Sequence, residues 1–263
     1  MRANKLTLGA DPEVFLVDAA HAYVSAVGKI GGSKKYPQPL PIGDGFAVQE
    51  DNVAVEYNIP PSASREAFNQ NIAKAMSFLS DKVSQMGLQF ANTSATLFPM
   101  EELLTEEAMT FGCDPDFNAW DGGRVNPRPQ APDMRLRSCG GHVHVGYEFH
   151  NKKEVINFIK HMDLFTVGAT LMDQGELRKQ LYGKWGAFRF KPYGCEYRSL
   201  SNFWIFDSKL TDWVWDSTEM ALDAWQNNKI DVDANRDLIF AAINQNNKEA
   251  AKQLIDTYGL LVV

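Results

Sequence analysis

Apolar and polar residues alternate with a period of two along several stretches of the chain, which is the pattern of β-strands. Residues 14–17 (VFLV) form the first of these stretches, and residues 22–27 are predicted to return antiparallel to it. A loop rich in glycine, lysine and proline covers residues 28–45, and residues 46–59 then alternate over their whole length. A second block of strands is predicted within residues 139–149 and 188–206. The pattern predicts one early and one late group of strands.

Apolar residues three and four positions apart predict helices between and after these strands. The first is expected to begin at Ser62 or Ser64, either of which can cap it, and to end near residue 86, with Gly87 as the stop. The other predicted helices are 151–172, 208–227 and 233–258, while residues 92–137 are expected to be irregular. Since short, hairpin-like connections favour antiparallel pairing, the predicted fold class is α+β rather than a doubly wound parallel sheet.

Each predicted strand has one apolar face and one face with potential metal ligands. Residues two positions apart share a face, and the shared pairs are Asp11 with Glu13, Glu50 with Glu56, His142 with His144 and Glu148, and Glu196 with Arg198. A sheet with one wet face explains any single strand, but such a face is usually rich in Lys, Thr, Ser and Gln. So many carboxylates on one surface would repel one another unless cations lie among them. Mostly oxygen ligands favour Mg²⁺ or Mn²⁺ over zinc.

The composition excludes several classes of protein. The chain has 263 residues, of which 44% are hydrophobic, and a net charge of -7, which argues against non-specific nucleic-acid binding. No apolar run approaches the roughly 18 residues of a membrane span, and no secretion signal is evident. The three cysteines, Cys113, Cys139 and Cys195, form no CxxC pair. A reduced, cytoplasmic protein is expected.

Four motifs in this order resemble the glutamine synthetase and glutamate–cysteine ligase superfamily of carboxylate–amine ligases. They are GADPEVFLVD, QEDNVAVEYN, GGHVHVG and GCEYRSL, and they lie within about residues 7 to 205. The nearest resemblance is to the phage-encoded branch of COOH–NH2 ligases, or amidoligases. If the chain is phage-encoded, as this resemblance implies, the expected location is the host cytoplasm. It implies one catalytic domain over residues 1–263, a curved antiparallel half-barrel sheet at about 7–205 backed by helices, with C-terminal helices at about 207–260.

The resemblance also implies ATP and two or three Mg²⁺ or Mn²⁺ ions as cofactors, and an acyl-phosphate route to an amide bond. One metal site would consist of Glu13, Glu50 and Glu56, and the other of Asp11, His142 and Glu196. Glu13, Glu56 and Arg198 would be catalytic, with Arg198 on the transferred phosphate. The other expected nucleotide-side residues are Arg189, His144, which would orient rather than ligate, and Lys29 in the glycine-rich loop. The implied partners are a carboxylate and an amine, each a small molecule or a peptide.

Several alternatives remain open at this point. Asp51 replaces Glu50 as a ligand if a bulge shifts the register. Arg135 and Arg137 are candidates for binding a carboxylate substrate, and the tryptophan-rich C-terminal helices are candidates for a homo-oligomer interface. His142, His144 and Glu148 also match half of a cupin metal motif, which would indicate a metal-dependent oxygenase. A zinc site from Cys139, His142, His144 and Cys195, and an inactive substrate-binding relative, are further alternatives.

Overall fold

Fourteen strands and seven α-helices make up the part of the chain that the computed structural model describes, residues 5–109, 116–173 and 175–263. Cys113 lies outside these residues. The early strands are β1 (Thr7–Ala10), β2 (Glu13–Val17), β3 (Tyr23–Val24), β4 (Gln38–Pro39), β5 (Ala47–Asp51), β6 (Ala54–Asn58), β7 (Gln89–Ala91) and β8 (Ala95–Leu97). The later strands are β9 (Phe117–Asn118), β10 (Arg124–Val125), β11 (Leu136–Ser138), β12 (Val143–Gly146), β13 (Ala187–Lys191) and β14 (Gly194–Tyr197). The helices are α1 (Arg65–Ser84), α2 (Glu106–Met109), α3 (Lys152–Phe165), α4 (Ala169–Met172), α5 (Ser208–Gln226), α6 (Arg236–Asn244) and α7 (Lys248–Tyr258).

Two larger sheets carry the predicted motifs. One has the order β1-β12-β14-β13-β9-β10, and the other has the order β3-β2-β6-β5-β4, with β7 also paired to β2. All pairings between the named strands are antiparallel. The predicted α+β class with a curved antiparallel half-barrel sheet is therefore confirmed.

The chain passes from one sheet to the other at Asp11 and Pro12, between β1 and β2. Hydrogen bonds continue across this junction: the Tyr57 amide donates to the Pro12 carbonyl, at 3.1 Å, and the Glu13 amide donates to the Gly140 carbonyl, at 2.9 Å. The two sheets thus curve around one surface, and Asp11 and Glu13 lie at the line where they meet.

The long strand predicted at 46–59 is wrong: this segment is a tight hairpin of β5 and β6, with its turn at Asn52 and Val53. Asn52 has a φ of 56°, in the left-handed region that Asn tolerates better than most residues, and it allows the reversal. Across the turn Gln49 pairs with Glu56 and Asp51 pairs with Ala54. The shared-face argument for Glu50 and Glu56 therefore fails, because it assumed uninterrupted alternation.

The helices pack behind the sheets, close to where they were predicted. Ser64 caps α1 by accepting a hydrogen bond from the Ala67 amide, as the sequence indicated. The helices predicted at 151–172 and 233–258 are each interrupted, into α3 and α4 and into a short 3-10 turn, α6 and α7. Trp204, Trp213 and Trp215 are buried in the core, so these tryptophans pack within the chain.

Candidate active site

One row of residues crosses four strands of the first sheet. Gly9 of β1 pairs with His144 of β12, His144 pairs with Glu196 of β14, and Glu196 pairs with Arg189 of β13. Direct partners in an antiparallel sheet project to the same face. The His-x-His and Glu-x-Arg motifs, about fifty residues apart in sequence, therefore face each other across adjacent strands.

Asp11, at the junction of the sheets, joins this row. Its Oδ2 lies 3.1 Å from Nε2 of His144, and its Oδ1 lies 3.2 Å from Nδ1 of His142. Ligand atoms of Asp11, His144 and Glu196 all lie within 4.8 Å of one another. These three residues are called the histidine cluster below.

A second set of ligands, called the acid cluster below, consists of Glu13, Asp51 and Glu56, whose carboxylate oxygens also lie within 4.8 Å of one another. Glu13 is the direct cross-strand partner of Glu56 in β2 and β6. Oε2 of Glu13 accepts a hydrogen bond from the Gly140 amide at 2.7 Å, and Oε2 of Glu56 accepts one from Nε2 of Gln49 at 2.8 Å. The hairpin turn, rather than a bulge, brings Asp51 to this face.

The two glutamates of the acid cluster, Glu13 and Glu56, have raised pKa values. Burial, and then the negative charge of Asp51, raise the pKa of Glu13 from 4.5 to about 7. Burial, followed by the charges of Asp11, Glu13 and Asp51, raises the pKa of Glu56 well above its ordinary value. Removing water and adding like charges both disfavour the ionised form. A cation among these oxygens would reverse the balance.

The histidine cluster has the opposite electrostatics. Burial alone would raise the pKa of Asp11, but the imidazoles, His144 first, hold it well below its usual range. Burial and Asp11 would likewise raise the pKa of Glu196, but Arg198 and the two histidines lower it to about 2. Burial, followed by the positive charge of Arg198, lowers the pKa of His142 to about 4, so His142 is neutral at pH 7.

Arg198 lies between the two clusters, buried to 5% exposure. Its guanidinium contacts Glu196, lies 3.2 Å from Nδ1 of His142, and lies 3.5 Å from Oδ2 of Asp116. It also lines a small cavity of about 40 Å³ together with Glu13. A forked, permanently charged donor is thus held beside both sets of ligands.

Two further cations approach Glu196. Nη1 of Arg189 lies 3.4 Å from Oε1, and Nζ of Lys191 lies 2.6 Å from Oε2. Arg189 was predicted beside the Glu-x-Arg strand, whereas Lys191 was not singled out. The sequence did contain an indication of Lys191, because Lys191 and Arg189 are two positions apart on β13 and therefore share its inward face.

His142 was expected to be a ligand and His144 an orienting residue, and both lie beside Asp11. His144 belongs to the group that could share an ion, whereas Nδ1 of His142 lies 3.2 Å from Asp11, 3.2 Å from Arg198 and 3.9 Å from Oε1 of Glu196. Nδ1 of His144 is 2.8 Å from the hydroxyl of Tyr193, a residue the sequence argument missed. A hydrogen bond to one ring nitrogen fixes the tautomer and orientation of the other.

Glu50 faces away from the acid cluster. Its carboxylate accepts hydrogen bonds from the backbone amides of Gly28, Ile30 and Gly31, at 2.8 to 2.9 Å. Glu50 thus binds the glycine-rich loop rather than sharing a face with Glu56. Lys29, in the same loop, is exposed.

Cavities lie at both ends of β12. At the Gly146 end is a cleft of about 590 Å³, whose lining includes Tyr147, Phe149, Phe190 and Lys191, and an adjoining one of about 300 Å³ that reaches His144. At the Gly140 end is the 40 Å³ cavity, whose lining includes Arg137, Arg178 and Tyr182. Arg137 was a predicted carboxylate-binding candidate, whereas Arg135 is paired with Asp133 away from this lining. Arg178 and Tyr182 were missed, because they follow α4 in a segment without strand alternation.

Both clusters suit a hard divalent cation. The acid cluster offers only oxygens. Burial first, and then the negative charge of neighbouring carboxylates, raise the pKa values of Glu13 and Glu56, and a bound cation would offset both effects. In the histidine cluster, Nε2 of His144 and Oε2 of Glu196 are buried, and their nearest charged groups are Oδ2 of Asp11 at 3.1 Å and Nζ of Lys191 at 2.6 Å. One nitrogen with several oxygens is a set that Mg²⁺ or Mn²⁺ accepts.

The other predicted metal sites are not assembled. Among the described residues, the two clusters are the groups of three or more His, Cys, Asp and Glu side chains close enough to share an ion. Glu148, required by the cupin alternative, belongs to neither. Cys139 and Cys195 are buried in the apolar core, so the zinc alternative lacks its thiolates.

Fold and site together define a curved antiparallel sheet with two candidate divalent-cation sites and an arginine between them. Residues 131–257 match the sequence model of a family described as phage phiEco32-like COOH.NH2 ligase, type 2. This confirms the resemblance predicted from the sequence and supports a carbon–nitrogen ligase. The matched segment contains His142, His144, Glu196 and Arg198, whereas Asp11 and the acid cluster precede it.

Among solved structures, the chain is similar to a crystal structure described as a novel glutamine synthase homolog. The two share 11% sequence identity with a TM-score of 0.42, over 96% of this chain and 66% of the other. The chain thus spans about two thirds of that protein's length. No curated protein matches the chain. None of the described helices has the length and apolar character needed to cross a membrane.

Proposed function

We propose that this protein is an ATP-dependent carboxylate–amine ligase of the cytoplasm, with the whole chain acting as one catalytic domain. The observation that carries the proposal is the pair of clusters with the geometry and residue types to hold cations, on either side of the buried Arg198. This arrangement suits a reaction in which two anions, a carboxylate and a triphosphate, must be held within reacting distance. The family match over residues 131–257 supports the same reaction class.

The proposed reaction has two steps. A carboxylate oxygen of the first substrate attacks the γ-phosphorus of ATP, the bond to the β-phosphate oxygen breaks, and ADP leaves. An amine then attacks the carbonyl carbon of the acyl phosphate, and inorganic phosphate departs as the amine loses a proton. Activation is needed because a carboxylate by itself is a poor electrophile.

The two clusters would hold the divalent ions, the acid cluster one and the histidine cluster another. Bound ions neutralise phosphate oxygens and polarise the transferred phosphorus. The chain's own contribution is to fix the ligands: Gly140 and Gln49 orient Glu13 and Glu56, and Tyr193 orients His144. Asp51 takes the part in this proposal that the sequence argument gave to Glu50.

Arg198 would bind the transferred phosphoryl group as charge develops on it. Its guanidinium is already desolvated, so its attraction for an anion is screened less than at a surface. Arg178 would assist from the 40 Å³ cavity, where a substrate carboxylate would be held next to Glu13. The 590 Å³ cleft, with its aromatic and lysine lining, suits the nucleotide.

The test is ATP turnover with Mg²⁺ and a pool of metabolites as substrates. ADP and phosphate release should require a carboxylate and an amine together, and mass spectrometry should detect a product equal to their sum less one water. Glu13→Gln should lower turnover by at least about a hundredfold. Glu101→Gln, an exposed acid, is the matched control.

Two results would contradict the proposal. One is normal turnover in Glu13→Gln. The other is release of phosphate without any condensed product, in the presence of both substrate classes. Far-ultraviolet circular dichroism and thermal unfolding of each variant would exclude misfolding as the cause of a loss.

A further inference from the structure

The segment from β8 to the end of α2 carries large apolar side chains on two faces. One set is buried in a small core that the segment covers, and it consists of Phe98, Leu103 and Ala108. The other set is 40% to 79% exposed, and it consists of Leu97, Met100, Leu104 and Met109. The buried set closes the core, whereas the exposed set has no part in it.

Met134, just before β11, extends the exposed set. The guanidinium of Arg137 donates to the carbonyl of Met134 at 2.7 Å and to the carbonyl of Ala108 at 2.8 Å, so the two segments adjoin. The exposed set with Met134 is called the methionine surface below: Leu97, Met100, Leu104, Met109 and Met134. It contains five of the twelve large apolar side chains that are exposed among the described residues. Single exposed apolar residues are ordinary, but a group of this kind marks an interaction surface.

The charge beside the methionine surface is negative. Residues 92–109 contain no lysine or arginine and have four glutamates, Glu101, Glu102, Glu106 and Glu107. Glu102 accepts a hydrogen bond from the Ser25 amide at 2.7 Å, and the other three are exposed. The exposed cation next to Met134, Arg135, is paired with Asp133 at 2.8 Å. A second copy of the chain would bring like charges together here, whereas a basic partner would be attracted.

We propose that the methionine surface binds a basic polypeptide segment of another protein, with large apolar side chains along one face of that segment. The partner's apolar side chains pack on the three methionines, whose unbranched and flexible side chains adapt to irregular shapes. Its lysines and arginines lie beside the glutamates. The inference does not depend on the proposed function, because none of the five residues belongs to either cluster.

The surface is close to the candidate active site. Arg137, which binds the carbonyls of Met134 and Ala108, also lines the 40 Å³ cavity. A partner bound to the methionine surface is therefore separated from that cavity by one buried side chain.

Nuclear magnetic resonance of the protein labelled with ¹³C at its methionine methyl groups tests the inference. The probe is a synthetic amphipathic peptide of lysine and leucine, about 18 residues long. The signals of Met100, Met109 and Met134 should shift on titration, whereas Met86, as exposed as Met109 but outside the surface, should not. Two peptides of the same pattern serve as comparisons, one with glutamate for every lysine and one with serine for every leucine. Both should bind at least about tenfold more weakly.

Variants of the surface separate its apolar and charged parts. Leu104→Ser removes the most exposed leucine and should weaken binding of the lysine–leucine peptide by about tenfold or more. Val125→Ser, at an exposed position of β10, is the matched control and should leave the affinity unchanged. Glu101→Gln combined with Glu107→Gln should weaken binding by about threefold and reduce its dependence on salt.

Several results would overturn the inference. They are the absence of methyl shifts up to about 1 mM peptide, equal binding of the three peptides, or an undiminished affinity in Leu104→Ser. Broadening of the same three signals with protein concentration alone, together with a dimer in sedimentation velocity, would identify a second copy of the chain as the occupant and would overturn it as well.

Discussion

Glu13 and Glu56 are direct partners across β2 and β6, so two carboxylates face each other where the sheets meet. Like charges directly opposite in a sheet are destabilising, and these are also desolvated. Without a cation, the repulsion between Glu13 and Glu56 is reduced by protonation, which their raised pKa values favour. The stability of the free protein and its affinity for a cation are therefore linked through the same atoms.

Replacing Glu56 by Gln should stabilise the metal-free protein at pH 7. The amide keeps the shape of the protonated carboxyl and is uncharged at every pH. It therefore avoids the free-energy cost of either protonating or burying the Glu56 carboxylate, whose raised pKa reports that cost. We expect the free energy of unfolding to increase. The variant should also lose the rise in melting temperature that Mg²⁺ gives the wild-type protein. Scanning calorimetry with EDTA and with Mg²⁺ measures both, and an undiminished Mg²⁺ effect would exclude Glu56 as a ligand.

The pH dependence of stability should report Glu13. Its pKa is raised from 4.5 to about 7, so the folded state binds more protons than the unfolded state between these values. The stability it contributes is present below about pH 4.5 and is lost as the pH rises through about 7, a change of about 3 kcal/mol. Urea unfolding with EDTA across this window should show wild type losing stability relative to Glu13→Gln. Parallel curves would contradict the assignment.

Glu50 and Asp51 are neighbours in sequence on opposite faces of β5, which gives a matched pair of variants. Asp51→Asn should abolish metal-dependent turnover with little change in stability, because Asp51 belongs to the acid cluster. Glu50→Gln should retain turnover but lose about 1 to 3 kcal/mol, because its carboxylate accepts three amides of the glycine-rich loop. Turnover assays and urea unfolding of both variants separate the roles, and the reverse outcome would restore the ligand set expected from the sequence.

Tyr193 should act on metal binding through His144. Its hydroxyl is 2.8 Å from Nδ1 of His144, and removing it in Tyr193→Phe frees the ring to reorient while keeping the aromatic stacking. We expect the Mn²⁺ concentration for half-maximal turnover to rise about tenfold. Tyr147→Phe, in the same cleft lining, is the control. An unchanged Mn²⁺ dependence in Tyr193→Phe would show that His144 is held by its other contacts.

The sequence was informative where strands are uninterrupted. Alternation along β12 and β14 correctly predicted that the His-x-His and Glu-x-Arg motifs present their polar residues to one face. The prediction failed at residues 46–59. The alternation of polar and apolar residues continues through the two-residue turn between β5 and β6, so the pattern gives no sign that the chain reverses there. Because of that turn, Asp51 rather than Glu50 lies with Glu13 and Glu56 in the acid cluster.

Contacts set by tertiary packing were also beyond the sequence. Lys191 resembles any charged residue at a strand end, and its proximity to Glu196 depends on the register of β13 against β14. Arg178 follows a short helix, and only the close approach of that segment to Arg198 brings it to the cavity. Neither residue belongs to a motif.

The short passage from Asp11 through Pro12 to Glu13 has a consequence for how this protein can vary. It contributes one residue to each cluster, so about 7 Å of backbone joins the two candidate ion sites, with no loop between them. One extra residue in this tripeptide would shift Asp11 relative to Glu13 and thereby change the geometry of both candidate sites at once.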